Sequence, residues 1–411
     1  MAVGQDHPSA PQGTVDHGRR SVAEHAAIVA ALLDGWTAGH ETVPLVAALG
    51  RVTAAEVASP VDLPLFRNSQ MDGFAVTAAS IETIPATLVV GSTIAAAPGA
   101  PELLAAGTAA RIMTGAQVPE GADCIVPVEY TREGDAGTIV IERGQRSGDF
   151  IREPGSDVRV GDVLVGPGMR LGPRHLAALA ASGVDRVEVR TPLRVAVISS
   201  GAELVAPGEA VAPGQVYDAN TVALTTAVLE SGALVVETLR TEDDPDAFRV
   251  ALARAVGGAD LVITSGGVSK GAFEVVRDVL EPLGATVTEV AMQPGGPQCT
   301  ALIEQTPVIS FPGNPVSAQV SFAVFLRPVL RRLAGLPAIA TRPATLDHPV
   351  ESVAGKRQWL RGVRSDSGSV SIVSGPGSHL VATMAAADCL VDIPESTTHL
   401  DSGDTVEVLP L

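Results

Sequence analysis

The chain has 411 residues, of which 46% are hydrophobic and only 3% aromatic, so several domains with aliphatic cores are expected. Its formal net charge is −18 at pH 7 and the sequence has no basic run, which argues against a nucleic-acid-binding protein. The N-terminus has no secretion signal pattern, and the most apolar helical run, residues 315–326, is too short to span a bilayer, so we expect no membrane partner.

The first elements predict a tail and a discontinuous N-terminal domain. Residues 1–20 are polar without periodicity, which predicts a disordered tail. Ser21 and Glu24 have the spacing of a capping box, so a helix is expected to begin there. We expect residues 21–60 to form one domain with residues 151–190, which contain a second helix ending at Gly183.

The remaining chain predicts two β-rich regions flanking an α/β region. Residues 61–150 are rich in Gly, Pro and Thr with short β-like runs, which is typical of a small β domain. Residues 191–336 alternate strands and helices, and residues 337–411 return to short strands. The strands are expected at 193–199, 234–240, 260–264, near 286–292 and at 307–311, and the helices at 219–231, from Asp244, at 273–282 and at 315–333. The expected fold class is therefore a multidomain α/β protein with a central doubly wound α/β domain.

The three cysteines, Cys124, Cys299 and Cys389, are odd in number and widely spaced, with no C-x-x-C pair. This pattern argues against a disulfide framework and against a zinc site. It favours a reducing compartment, and we expect a cytoplasmic protein.

Three glycine-bearing turns follow apolar strands of the α/β region, with sequences SSGAELV at 199–205, SGGVSKG at 265–271 and PGNP at 312–315. Ligands of open α/β sheets bind at the carboxyl ends of the strands, so the turns predict one site for an anionic ligand. The alternatives are a tight turn without ligand at PGNP and a flexible loop with one solvated lysine at SGGVSKG. The binding candidates are Ser265, Gly266, Gly267, Ser269, Lys270, Pro312, Gly313, Asn314 and Ser317.

Glu203 lies just past the end of the first of these strands. A carboxylate beside an anion site is unfavourable unless a cation bridges them, which suggests Mg²⁺ held jointly with ligand phosphates. The alternative is a surface glutamate in the first turn of a helix. Asp218 and Asn220 can both be helix-capping residues, and for Asn220 capping is the favoured interpretation.

The N-terminal half holds further dense segments at 64–76 and 111–129, with Asp72 and Thr114 in glycine turns. Their local chemistry does not distinguish a functional role from a β-turn. Arg152 is a candidate for a phosphate contact and Asp157 for a metal or a turn.

Taken together, these segments resemble the molybdopterin molybdenumtransferase family, and the resemblance extends from about residue 21 to residue 411. Any one motif is weak, but the ordered set is specific. The residues that support it are Asn68-Ser69, Met71–Val76, Arg111–Ala116, Pro119–Asp123, Arg152, Gly155, Asp157, Ser200-Gly201, Glu203-Leu204, Tyr217-Asp218, Asn220, Ser265–Ser269, Pro294-Gly295 and Pro312–Ser317.

The resemblance implies insertion of molybdenum from molybdate into adenylylated molybdopterin, with release of AMP and with Mg²⁺ near the pyrophosphate. It also implies an elongated homodimer, in which the last domain completes the partner's site, and allows contact with the upstream adenylyltransferase or acceptor molybdoenzymes. The implied catalytic residues are Asp72, Thr114, Asp157 and Glu203; the implied metal ligands are Glu203, Asp260 and Asp157; the implied substrate contacts include Arg152, Lys356, Arg357 and Ser378.

The chain departs from the family in its cations. Where the family commonly has Met-Lys-Pro-Gly-Lys-Pro, residues 292–297 read MQPGGP, so Gln293 and Gly296 replace both lysines. Ala272 replaces a usual acidic residue, and Lys270 stands where an uncharged residue is usual. Our hypothesis is that Lys270 restores part of the lost charge. The alternatives are altered specificity, for example toward tungstate, and a degenerate copy.

Two other functions remain open at this stage. A non-catalytic binding or scaffold protein on the same fold is favoured by the missing lysines and opposed by the retained Asp72, Thr114, Asp157 and Glu203. A different enzyme that shares only the α/β domain, such as an adenylyltransferase or a nucleotide hydrolase, would lack the motifs of residues 61–150.

Overall fold

The computed structural model describes residues 19–268 and 275–411. The predicted tail, apart from Arg19 and Arg20, lies outside these residues, as do the predicted ligand contacts Ser269 and Lys270. The chain divides into two compact units, one formed by residues 1–40 and 190–411 and the other by residues 41–189. Within the described ranges, no helix combines the length and apolar character needed to cross a bilayer.

The first helix, α1 (Val22–Leu32), begins with the capping box expected from the sequence, since Ser21 and Glu24 exchange both hydrogen bonds. Its buried face does not join residues 151–190, as the sequence suggested. Val29 instead packs in the core of the first unit, and the His25 ring meets Phe325 edge-on with centroids 4.7 Å apart. The predicted discontinuous domain therefore loses α1 and keeps only its later part.

The second unit contains a six-stranded sheet in the order β7-β4-β6-β5-β9-β8, with three small sheets beside it. In two of these, β1 pairs with β12 and β2 with β11, which joins residues 41–60 to residues 151–189. The elements are β1 (His40–Pro44), β2 (Val57–Ala58), β3 (Asn68–Ser69), β4 (Gly73–Val76), β5 (Ala86–Ile94), β6 (Thr108–Ile112), β7 (Cys124–Pro127), β8 (Thr131–Glu133), β9 (Thr138–Ile141), β10 (Ile151–Arg152), β11 (Val163–Val165), α2 (Pro173–Ala181) and β12 (Arg186–Arg190).

The α/β part of the first unit follows the predicted alternation. Its elements are β13 (Arg194–Ser200), β14 (Leu204–Val205), β15 (Val216–Tyr217), α3 (Ala219–Glu230), β16 (Leu234–Thr241), α4 (Pro245–Gly258), β17 (Leu261–Ser265), α5 (Val275–Leu280), β18 (Thr286–Glu289), β19 (Met292–Gln293), β20 (Pro297–Ile303), β21 (Thr306–Phe311), α6 (Pro315–Ser321) and α7 (Arg327–Leu333). A π-helical stretch, Phe322–Leu326, joins α6 to α7, so the predicted helix 315–333 is continuous but not uniformly α-helical. The sequence did not predict β20.

The sheet of this part has the order β16-β13-β17-β21-β20-β18. Its first four strands are parallel, and β20 and β18 are antiparallel to their neighbours. The chain leaves β13 toward β16 on one side and returns to β17 on the other. The order of the strands therefore reverses between β13 and β17, and a crevice opens there at their carboxyl ends.

The C-terminal strands of the first unit close into a small barrel, because β26 pairs with β24 and completes the ring β24-β25-β22-β28-β26. Its core is aliphatic and includes the buried Val370, Val391 and Val408. The elements are β22 (Arg342–Leu346), β23 (Val350–Glu351), β24 (Arg357–Arg364), β25 (Ser369–Ile372), α8 (Val381–Ala386), β26 (Cys389–Ile393), β27 (His399–Leu400) and β28 (Thr405–Pro410).

Candidate active site

A cleft of about 660 Å³ lies in the first unit at the carboxyl ends of β13, β17 and β21. All three glycine-bearing turns contribute to it, as their positions after parallel strands predicted. The lining residues are Ser200, Gly201, Glu203, Leu204, Val216–Asn220, Asp243, Ser265–Val268, Gly313–Pro315, His379 and Val381.

Bare backbone forms the floor of the cleft where two turns meet. Gly266 has a φ of +93°, and a side-chain carbon there would overlap the carbonyl oxygen of Ser200. A side-chain carbon at Gly313 would lie 3.3 Å from the Gly266 Cα. Glycine is needed at Gly266 both for its backbone conformation and for this close approach.

Three carboxylates line the cleft, namely Glu203, Asp218 and Asp243. Glu203 folds back over Gly201, where an added Cβ would lie 2.8 Å from its Oε2. Asp243 follows β16 and accepts a hydrogen bond of 3.3 Å from the Ala202 N–H. We did not select Asp243 from the sequence, although its place after a parallel strand was the signal that could have identified it.

Asp218 is the N-cap of α3, as the sequence suggested, and its carboxylate accepts from the N–H and the hydroxyl of Thr221 at 2.9 and 2.6 Å. The hydrogen-bonded chain continues from Thr221 to Ser199 and on to Ser265, over 2.8 and 3.2 Å. The buried carboxylate is thus joined to the end of β17. These polar contacts fix the start of α3 against two strands of the sheet.

Asn220 is not a cap, which corrects the favoured sequence interpretation. It lies inside the first turn of α3, and its Nδ2 donates to the Gly313 carbonyl at 2.7 Å. Its Oδ1 and the hydroxyl of Ser200 are buried without a hydrogen-bond partner among the described residues. Asn220 therefore connects α3 to the PGNP turn.

The segment at residues 374–379 contributes His379 to the cleft. The Ser378 carbonyl accepts a hydrogen bond of 3.2 Å from the Val316 N–H in the first turn of α6. The protein itself therefore satisfies that N–H. The anion cradle expected from the sequence had required it to be free for a ligand. Asn314 and Gly313 line the cleft, whereas Pro312 and Ser317 are buried and do not.

Two predicted substrate contacts from the barrel do not line this cleft. Arg357 forms a two-pronged ion pair with Asp392, whose Oδ1 lies 2.6 Å from the Arg357 Nε. The hydrogen bond to Asp392 raises the pKa of Arg357, so the guanidinium is already neutralised within the protein. Its neighbour Lys356 precedes β24 and is also absent from the lining.

Asp260 does not lie in the cleft, which corrects its selection as a metal ligand with Glu203. It precedes β17 and accepts a hydrogen bond of 2.8 Å from the Arg194 N–H at the start of β13. Both positions are at the amino ends of parallel strands, whereas Glu203 follows the carboxyl end of β13. Five residues of extended strand separate these ends by about 16 Å.

Four of the predicted residues lie in the second unit, where Asp72 precedes β4, Thr114 follows β6, Arg152 lies in β10 and Asp157 lies between β10 and β11. Asp72 accepts from the N–H and the hydroxyl of Thr114 at 2.7 and 2.9 Å, and these bonds lower the pKa of its carboxyl. Arg152 donates to the Asn68 Oδ1 at 3.3 Å across the β10–β3 pair. Asp157 is exposed and pairs through its backbone N–H with Leu63 at 2.9 Å.

Family models match three stretches that together cover most of the chain. Residues 16–183 match the MoeA N-terminal region (domain I and II), residues 196–332 a probable molybdopterin binding domain, and residues 343–411 the MoeA C-terminal region (domain IV). A protein of Mycobacterium tuberculosis named molybdopterin molybdenumtransferase 2 is 41% identical over 95% of this chain and its own full length.

The chain belongs to the molybdopterin molybdenumtransferase family. A Haemophilus influenzae relative named molybdopterin molybdenumtransferase is 32% identical over 90% of this chain and 93% of its own. The crystal structure of a molybdopterin biosynthesis MoeA protein from Pyrococcus horikoshii is 34% identical, covers 95% of this chain and 99% of its own, and superposes with a TM-score of 0.77. These likenesses confirm the resemblance and the multidomain α/β fold expected from the sequence.

Gln293 and Gly296 stand where the molybdopterin molybdenumtransferase family commonly has lysines. In this chain they lie beside an amide and a carboxylate, respectively. Gln293 accepts a hydrogen bond of 2.6 Å from the Gln358 Nε2. At Gly296, a side-chain carbon would overlap the Glu289 carboxylate. The contacts seen at these two positions thus involve an amide and a carboxylate, and Lys270, the hypothesised replacement cation, lies outside the described residues.

Proposed function

We propose that this protein inserts molybdenum from molybdate into adenylylated molybdopterin, with cleavage of the phosphoanhydride and release of AMP, as the last step of molybdenum cofactor synthesis. The molybdenum atom then remains bound by the two dithiolene sulfurs. Molybdate and adenylylated molybdopterin are substrates in this reaction. Family membership supports the reaction class, and the geometry of the cleft supports an anionic ligand.

One observation contributes most to this proposal. The cleft combines a glycine floor with Glu203 and Asp243, which follow two neighbouring parallel strands, β13 and β16. Gly266 lets the chain turn closely against the Ser200 carbonyl, which brings the ends of β13 and β17 together at this floor. Carboxylates beside such a floor are compatible with a phosphate-bearing ligand when a cation lies between them.

Magnesium fits the residues that line the cleft. Mg²⁺ binds oxygen ligands and commonly uses one or two carboxylates together with substrate phosphates and water. Glu203 and Asp243 are exposed at the cleft and provide such oxygens, while the Asp218 carboxylate is buried and already bound to Thr221. When bound, the ion would neutralise pyrophosphate charge.

The protein's own groups then orient the substrate. Asp218, Thr221 and Ser199 hold the start of α3 against β13, which fixes one side of the cleft. In the second unit, the hydrogen bonds from the Thr114 N–H and hydroxyl orient the Asp72 carboxylate and lower its pKa. We propose that Asp72 and Thr114 act with Arg152 and Asp157 on the substrate.

We also propose a homodimer, and contact with the upstream adenylyltransferase or with acceptor molybdoenzymes, on the resemblance alone. A cytoplasmic setting is supported by the cysteines, since Cys124, Cys299 and Cys389 are all buried and unpaired.

The decisive experiment measures AMP release from adenylylated molybdopterin with Mg²⁺, with and without molybdate. We expect molybdate-dependent release, and we expect Glu203→Gln and Asp243→Asn each to slow it at least about tenfold, because a charge-assisted contact is worth about 1.5–3 kcal/mol. Glu242→Gln is the matched control, since Glu242 adjoins Asp243 but does not line the cleft.

The alternative is a catalytically degenerate molybdopterin-binding or scaffold paralogue, which the loss of the two usual lysines favours. Tight binding of adenylylated molybdopterin without AMP release would support this alternative. Absence of binding would reject molybdopterin as the substrate.

A further inference from the structure

Arg361 is a fully buried arginine that the proposed chemistry does not use. Its side chain lies in β24 with a relative exposure of 1%, and it is among the largest fully buried side chains. Among residues 19–268 and 275–411, no carboxylate forms an ion pair with it. Burial lowers the pKa of its guanidinium, so keeping this charge inside the protein is unfavourable without strong hydrogen bonds.

All the hydrogen bonds of this guanidinium go to one short segment. Its Nε and Nη2 donate to the Ser374 hydroxyl at 3.1 and 2.8 Å. Its Nη2 also donates to the Gly375 carbonyl, and its Nη1 donates to the Gly377 carbonyl at 3.1 Å. The backbone carbonyl of Arg361 accepts from the Val373 N–H at 3.0 Å. Arg361 therefore contacts this stretch at Val373, Ser374, Gly375 and Gly377.

The same segment reaches the cleft immediately after these contacts. Ser378 accepts from the Val316 N–H at the start of α6, and His379 and Val381 line the cleft. Residues 375–377 read Gly-Pro-Gly and contribute no side-chain hydrogen bond of their own to hold this path. The guanidinium thus anchors the part of the segment that leads directly into the cleft wall.

We propose that Arg361 is a positioning residue, which holds residues 374–379 as one wall of the cleft and thereby sets the affinity for molybdopterin. This inference rests on the proposed function of the cleft. Arginine is required because its planar fork reaches three acceptors at fixed angles, whereas the single ammonium of lysine is a point charge. Arg361 does not touch the ligand, so its effect is on binding rather than on the chemical step.

The test compares Arg361→Lys with Arg364→Lys in the full chain. Arg364 lies in the same strand and pairs with Asp388 at 3.3 Å, away from the cleft lining. Hydrogen exchange is followed in peptides covering Val316 and α8, and the Kd of molybdopterin is measured beside kcat for AMP release. We expect Arg361→Lys to speed hydrogen exchange in these peptides and to raise the Kd, each by about tenfold, because about one charge-assisted contact is lost. The kcat should stay within about twofold of the wild-type value. Arg364→Lys should change none of these.

Ser374→Ala provides a second variant in case Arg361→Lys does not fold. It removes the acceptor of two of the four guanidinium bonds and leaves the charge in place, so a several-fold rise in both exchange and Kd is expected. Wild-type exchange in the folded variants, or faster exchange with an unchanged Kd, would overturn the positioning role. If the wild-type protein binds no molybdopterin, the proposed function fails, and the exchange comparison still decides whether Arg361 holds the segment.

Discussion

The side-chain amide of Asn220 donates a hydrogen bond of 2.7 Å to the carbonyl oxygen of Gly313. This bond joins the first turn of α3 to the PGNP turn after β21, two segments that are 93 residues apart in sequence. It fixes two sides of the cleft relative to each other within the first unit.

Asn220→Ala is expected to destabilise the protein by about 1–3 kcal/mol, because the Gly313 carbonyl loses its buried donor. Asn220→Asp should cost at least as much, since a carboxylate would face a carbonyl oxygen. Urea unfolding measures both. Thr226→Ala, on the exposed face of the same helix, should have a free energy of unfolding close to that of the wild type. Equal losses in all three variants would show that the Gly313 contact does not account for the effect.

Gly266→Ala is expected to destabilise the protein at the floor of the cleft. The residue has a φ of +93°, and its new methyl group would overlap the Ser200 carbonyl, so a cost of at least about 1–3 kcal/mol follows. Gly257→Ala is the matched control. It lies within α4 with open space around it, and alanine there should stabilise by up to about 1 kcal/mol. Thermal unfolding measures both variants. Gly266→Ala should lower the melting temperature, and Gly257→Ala should raise it.

Thr114→Val is expected to raise the pKa of the Asp72 carboxyl toward its ordinary value of 3.8. The rise should be partial, because the backbone N–H of residue 114, the larger cause of the lowered pKa, remains. Thr114→Ser keeps the hydroxyl and should leave the pKa unchanged. Carboxyl-carbon NMR titration measures it. Since the folded pKa is lowered, the Asp72 contacts stabilise the protein above pH 3.8 and weaken as the pH falls through the folded value.

His25 is expected to make the first unit acid-sensitive. Burial is the main cause that lowers its pKa from 6.5 to about 4, with a smaller contribution from Arg20. The neutral ring is therefore stabilising above pH 6.5, and that stability is lost as the pH falls from 6.5 toward 4, by roughly 3 kcal/mol in order of magnitude.

His25→Phe should flatten this part of the stability profile, because phenylalanine keeps the edge contact with Phe325 without titrating. His348→Phe replaces an exposed histidine and should leave the acid loss in place. Denaturant unfolding across this pH range makes the comparison, and an acid loss that persists in His25→Phe would assign it to other groups.

Gln293→Lys is expected to lower the molybdate concentration that gives half-maximal AMP release, by roughly tenfold, since it restores a cation where the family has one. Gln293→Met is the control, because it also breaks the bond to Gln358 but adds no charge. No difference between the two variants would mean that charge at position 293 does not limit molybdate use in this chain.

The sequence by itself determined the alternation of strands and helices around β13, β17 and β21, because apolar runs and capping residues such as Asp218 and Asp244 act over a few neighbouring positions. It also placed Glu203 and Gly266 at one edge of a sheet, since parallel strands put their carboxyl ends together. Only the tertiary structure decided that Asp392 neutralises Arg357 and that α1 packs on Phe325. These outcomes depend on which distant segments become neighbours, because ion pairing and burial are settled by partners far away in the sequence, and no local pattern contains that information.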